Sequence, residues 1–183
     1  MGTVINLLGG PSSGKSVTAA LLFAKMKLAG YKVELVTEYA KDLVYADRKS
    51  VLETNQLYIL AKQNYRLVNT IGKVDYIITD TCLLLSNVYP EFYGQYLTDA
   101  FREVVQETFS CYINLNFFID RPSHFEEYGR TQNLEESKRL DQMIMDELEN
   151  SGNTFLRVKA DDKTVDTILQ SIKEYEVDSL ANH

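Results

Sequence analysis

The run Gly9-Gly10-Pro11-Ser12-Ser13-Gly14-Lys15-Ser16 carries the densest chemistry in the chain. It fits the spacing G-x-x-x-x-G-K-[ST]. Glycines there permit torsions that turn successive backbone N–H groups inward, forming a cup for phosphate oxygens. A helix that starts where the cup ends adds the positive end of its dipole. In such a loop Lys15 reaches the β- and γ-phosphates of ATP, and the Ser16 hydroxyl ligates Mg²⁺. Gly9, Gly10, Pro11, Ser12, Ser13, Gly14, Lys15, Ser16 and the next helical residue, Val17, are the expected nucleotide contacts.

A second acid suits the same nucleotide. Asp80 ends the apolar stretch Tyr76-Ile77-Ile78-Thr79, where a carboxylate can hold magnesium directly or through water. The residue after it is Thr81 rather than a glutamate, which weighs against a motor-type ATPase that activates water. Neither N-K-x-D nor a D-x-x-G after the third strand is present, which weighs against a GTPase switch. Glu38 closes the stretch Val33-Glu34-Leu35-Val36-Thr37 and could orient or deprotonate an acceptor hydroxyl, with Asp42 as the fallback acid. Tyr39, Tyr45, Tyr58 and Tyr65 follow, and a ring could stack on one of them, although tyrosines at this spacing are more often packing.

Farther along stand Asp120-Arg121-Pro122, Tyr128-Gly129-Arg130-Thr131-Gln132 and Lys138-Arg139. Arginine on a closing segment can neutralise the charge that develops during phosphoryl transfer and exclude water. Arg130 is the first candidate for that catalytic role, then Arg121 and Arg139. Lys138 with Glu135 reads as surface charge.

The elements that must position these groups alternate along the chain. Strands are expected at 4–8, 33–37, 74–80, 112–119 and 154–158. Helical patterns fill 15–28, much of 40–71, 95–108, 133–150 and 165–175. Asn133 with Glu136 reads as a capping box opening a helix whose Leu140, Ile144 and Leu148 share one face. Strands separated by helices imply an α/β fold, a five-stranded parallel sheet with helices on both faces. In such sheets ligands bind beyond the carboxyl ends of the strands. Residues 9–16, 38–39, 80–81 and 120–121 should therefore meet on one rim.

Composition sets the outer bounds. At 183 residues the chain fits one domain, with 45% hydrophobic and 25% charged residues. No apolar run approaches a bilayer span, so no membrane partner is expected. The start shows no basic leader, and Asn6 stands where a myristoylation motif wants Ser or Thr. Cys82 and Cys111 are expected as reduced, buried thiols, which points to the cytoplasm. The histidines beside them are His124 and His183, and a four-ligand zinc site is not expected. The net charge of −7 disfavours nucleic acid as a partner. A homodimer is left open.

Taken together, the loop, Thr37-Glu38-Tyr39-Ala40-Lys41, Asp80-Thr81-Cys82-Leu83-Leu84 and Gly129-Arg130-Thr131-Gln132 resemble the nicotinamide riboside kinase-like P-loop ATPase and kinase group. Many of its members come from bacteriophages. The resemblance implies a nucleoside-kinase fold with sheet order 2-3-1-4-5, ATP as donor with Mg²⁺, and an arginine-containing lid. One kinase domain is expected over 1–178 with a mobile tail at 179–183, in the host cytoplasm if phage-encoded. The acceptor would be a nucleoside-like small molecule: a nucleoside, a nucleotide or nicotinamide riboside. The group also includes proteins similar to phage kinases acting on hydroxymethyluracil in DNA, and members known only as ATPases. A DNA-modifying kinase and an ATP-binding switch therefore stand as alternatives.

Overall fold

The computed structural model describes residues 2–121 and 132–181. β1 (Thr3–Leu8) is buried along its whole length and sits in the middle of the sheet. It runs through the glycine-rich loop into α1 (Lys15–Leu28), and Gly30, with φ of 88°, turns the chain back toward β2 (Val33–Val36). Three helices follow: α2 (Tyr39–Tyr45), α3 (Lys49–Thr54) and α4 (Gln56–Val68). Next come β3 (Tyr76–Thr79), α5 (Leu85–Phe92), α6 (Asp99–Ser110) and β4 (Ile113–Asp120). α7 (Leu134–Asn150), β5 (Leu156–Lys159) and α8 (Thr164–Ala181) complete the described chain. The strand order is β2-β3-β1-β4-β5 with every neighbouring pair parallel, as the resemblance implied.

Side-chain alternation divides the core into two layers. Val4, Leu8, Ile77 and Phe118 pack against α4, α5, α6 and α7. Ile5, Leu7, Ile78, Phe117 and Ile119 pack against α1 and α8 on the other face. This two-sided burial explains why the strands read as continuous apolar runs. Asn6 interrupts the first layer at 2% exposure. Its Nδ2 donates to Asn114 Oδ1 at 2.9 Å and Asn116 Oδ1 at 3.0 Å, so β1 and β4 are also tied by side chains.

Several expectations need correction. The helical stretch 40–71 is three helices, divided at Asp47, where φ is 53°, and at Asn55, where φ is −140°. The helix expected over 95–108 begins at Asp99, after Thr98 accepts the Phe101 N–H. α5 gave no helical signal, because Pro90 lies inside it and its buried residues include Ser86 and Asn87. Residues 179–181 form the last turn of α8. Cys82 is buried, but Cys111 is exposed beyond α6, and its thiol donates to the Glu107 carbonyl at 3.3 Å. The capping box stands as read: Asn133 Oδ1 accepts from Glu136 N at 2.9 Å, and Glu136 Oε2 from Asn133 N at 2.8 Å. Among the described residues no helix is long and apolar enough to cross a membrane.

One polar contact inside the α5–α7 interface is strained electrostatically. Asn87 Nδ2 donates to Glu147 Oε1 at 2.7 Å, while the buried Asn87 Oδ1 has no partner among the described residues. Burial raises the Glu147 carboxyl above its ordinary value, an effect only partly opposed by the Asn87 bond and Arg102. A raised carboxyl contributes stability below the ordinary carboxylate range and loses it as pH rises through the folded-state value. Glu147→Gln should therefore flatten the stability profile above that range and raise the thermal midpoint at neutral pH. Thermal melts of both proteins at a series of pH values check this.

Candidate active site

The phosphate loop is shaped by backbone torsions few residue types adopt. Gly9 has φ of 137°, and a Cβ there would lie 2.6 Å from Ser13 Oγ and 3.0 Å from the Ile119 carbonyl oxygen. Ser12 and Gly14, flanking Ser13, have φ of 62° and 92°. Such changes of hand aim successive N–H groups into one concavity. Ser13 is wholly buried, and its Oγ has no partner among the described residues. Gly14 caps α1 without a side-chain acceptor and the first turn holds no acid, so the helix N-terminus offers N–H groups to an anion. Lys15 Nζ donates to the Gly9 and Gly10 carbonyls at 2.7 and 2.8 Å.

Ser16, Asp80 and Glu38 meet next to the loop. The Ser16 hydroxyl donates to Asp80 Oδ2 at 2.7 Å, and the Glu38 N–H donates to Asp80 Oδ1 at 3.1 Å. Asp80 is 6% exposed, one residue past β3, and Glu38 is the N-cap residue of α2. A hydroxyl and a carboxylate at this separation suit a hard divalent cation that keeps water and phosphate oxygens as its other ligands. Among the described residues no cluster of three His, Cys, Asp or Glu side chains could hold a metal by itself.

A cavity of about 330 Å³ joins the loop to an apolar pocket. Its phosphate half is lined by residues 11–17 with Glu38 and Asp80; its other half includes Val44, Leu52, Ile59, Leu83 and Leu85. Gln56, Gln63, Tyr89 and Tyr93 add polar and aromatic surface. The Tyr89 and Tyr93 rings stack at 6.3 Å, and Tyr93 Oη accepts from Gln132 Nε2 at 3.2 Å. Gln56, 7% exposed, donates through Nε2 to the Leu52 carbonyl at 2.5 Å. Cys82 also lines the cavity, but burial pushes its thiol up to about 12, which leaves it protonated and unreactive.

The predicted rim thus forms. Residues 11–17, Glu38 and Asp80 share one cavity, and Arg121 reaches the Pro11 carbonyl. Arg130 lies outside the described residues. Arg139 sits over the Phe92 ring at 5.4 Å, and Lys138 pairs with Glu135 at 3.4 Å. Asp42 is paired with Arg66. Of the four tyrosines singled out in sequence, Tyr45 lines the cavity, whereas Tyr39 and Tyr58 bond each other at 2.8 Å. Tyr89, Tyr93, Gln56 and Asp141 were missed. Asp141 had one legible signal: it lies four residues after Ser137 and beside Leu140, on the buried stripe of α7.

Fold and site together define a P-loop protein with a nucleotide-kinase-like fold. A family profile described as an AAA domain matches residues 4–164, and the chain belongs to that family. The structure is similar to a thymidylate kinase from Ehrlichia chaffeensis, with a TM-score of 0.62 at 15% identity. That alignment covers 95% of this chain and 98% of the other, so the likeness extends through the whole fold. No curated protein matches the sequence.

The loop geometry makes a stability prediction. Gly9→Ala and Gly94→Ala both force a side chain to a positive φ, but nothing lies within 4 Å of a Cβ at Gly94. Gly94→Ala should cost about 1 kcal/mol and Gly9→Ala roughly 3 kcal/mol or more. Urea denaturation of the two variants measures the difference.

Proposed function

We propose that this protein transfers the γ-phosphate of ATP to a hydroxyl of a nucleoside-like small molecule. One observation carries the reading: the phosphate loop and an apolar pocket open into a single cavity, with Glu38 and Asp80 lining it. Bound Mg²⁺ would supply charge neutralisation on the phosphates. Ser16 and Asp80 would hold it, and Lys15 would exchange its two carbonyl partners for phosphate oxygens. Glu38, fixed beside Asp80 through its own N–H, would accept or direct the acceptor's hydroxyl proton. Phosphoryl transfer needs little covalent help, so positioning and electrostatics supply nearly all the rate.

The acceptor pocket supports a planar heteroaromatic ligand. Leu52, Ile59, Leu85 and the Tyr89–Tyr93 pair offer apolar and ring surface, and Gln56 offers a carbonyl oxygen for one N–H of a base or carboxamide. Arg130 is proposed, on its sequence context, as the arginine that stabilises the transferring phosphoryl group. The family description supports a second reading, an ATP-hydrolysing switch; Thr81 in place of an acid after Asp80 weighs against it.

The test is ADP release with Mg·ATP across nucleosides, nucleotides, nicotinamide riboside and hydroxymethylated DNA. The proposal expects release that depends on a small acceptor and disappears in Lys15→Ala. Slow release indifferent to every acceptor would favour the switch. Activity confined to DNA and lost steeply with salt would favour the DNA kinase. Arg130→Ala should lower turnover on the order of 10²-fold with ATP affinity nearly unchanged; unaltered turnover would remove Arg130 from the mechanism.

A further inference from the structure

We propose that Asp141 and Arg121 form a brace that holds the Gly10-Pro11 arm of the phosphate loop in its binding shape, with Asp141 as a positioning residue for nucleotide. The inference rests on the reading of residues 9–16 as a phosphate loop. Asp141 Oδ1 accepts the Gly10 N–H at 2.5 Å, and Asp141 Oδ2 accepts from Arg121 Nε and Nη2 at 3.0 and 2.7 Å. Arg121 in turn donates through Nη1 to the Pro11 carbonyl and through Nη2 to the Ser137 carbonyl at 3.2 Å. One carboxylate and one guanidinium thus fix two consecutive residues of the loop to the end of β4 and the first half of α7. Their side chains are 19% and 11% exposed, so water competes weakly for these bonds.

The packing leaves no slack. A Cβ on Gly10 would lie 2.7 Å from Asp141 Oδ1, 2.7 Å from the Ser137 carbonyl oxygen and 2.9 Å from Arg121 Nη2. Glycine is needed at this position because the brace approaches the backbone, whereas at Gly9 a positive φ adds to close contacts with Ser13 and Ile119. Internal grips also act on this arm: Lys15 donates to the Gly9 and Gly10 carbonyls, and the Ser13 N–H to the Gly10 carbonyl. Lys15 must release those carbonyls to reach a phosphate. The external brace does not depend on that exchange, and it keeps the arm in register while the Lys15 grip is given up.

This assigns Arg121 a positioning role rather than contact with the transferring group. It also makes a prediction whose sign separates geometry from charge. Asp141→Asn keeps the side chain's volume but removes a negative charge near a polyphosphate site. Coulomb attraction alone would then tighten Mg·ADP binding. A brace predicts weaker binding, because a neutral amide holds the guanidinium poorly and the loop arm loosens. Arg121→Lys keeps the charge but loses the forked geometry that reaches Asp141 and Pro11 together.

Calorimetric titration of wild type, Asp141→Asn and Arg121→Lys with Mg·ADP, and separately with magnesium tripolyphosphate, tests the brace. Both variants should bind both ligands roughly tenfold more weakly, with turnover lowered by up to about 10²-fold. Tripolyphosphate has no nucleoside, so a parallel loss places the effect in the loop. Unchanged or tighter Mg·ADP binding in Asp141→Asn would overturn the brace, as would an Mg·ADP loss with tripolyphosphate binding intact. Wild-type affinity in Arg121→Lys would equally overturn it. A wild-type protein that binds neither ligand would instead bring down the phosphate-loop reading itself.

Discussion

A polyphosphate can be gripped by main-chain amides only where several N–H groups converge without partners of their own. Folded chains avoid that arrangement, because buried backbone donors are almost always paired. Around residues 9–17 the loop's shape is fixed from both of its ends and by side chains that grip its backbone. β1, buried along its whole length at the sheet centre, fixes where the loop starts, and α1 fixes where it ends. Between them, positive φ at Gly9, Ser12 and Gly14 sets the concavity. Three ionic side chains, Lys15 inside and Arg121 with Asp141 outside, hold the carbonyls and one N–H that would otherwise let the loop relax.

The rest of the site follows from the parallel sheet. β1 has β3 on one side and β4 on the other, so the residues just past each strand lie next to the loop. Asp80 meets Ser16 across one of these boundaries and Arg121 reaches Pro11 across the other. The apolar part of the cavity is assembled from α2 to α5, where helices pack on one face of the sheet. The loop end of the cavity is thus built from the central strands and α1, while its apolar end is lined by shorter helices and their turns.

Local chemistry determined which parts were legible in sequence. The loop, the strand-end acids and the α7 capping box are short-range patterns, and the residues read from them lie where expected. The strand order entered through resemblance to a family, since alternation of strands and helices alone does not specify it. The apolar end of the cavity was not legible: α5 is short, contains Pro90 and buries Ser86 and Asn87, so its period is masked and Tyr89 and Tyr93 escaped notice. The brace was hidden for another reason. Asp141 lies 131 residues from the Gly10 N–H it accepts, and only the tertiary fold brings the two together. Cys111 shows the converse error, an apolar neighbourhood in sequence that ends on the surface.

The account depends on residues 9–17 binding a nucleotide polyphosphate in the folded protein. The most direct measurement is a calorimetric titration of wild type and Lys15→Ala with a non-hydrolysable Mg·ATP analogue. The account predicts saturable heat at one site per chain in wild type and its loss on removing the ammonium group. Absence of heat in wild type, or the same isotherm in both proteins, would contradict it.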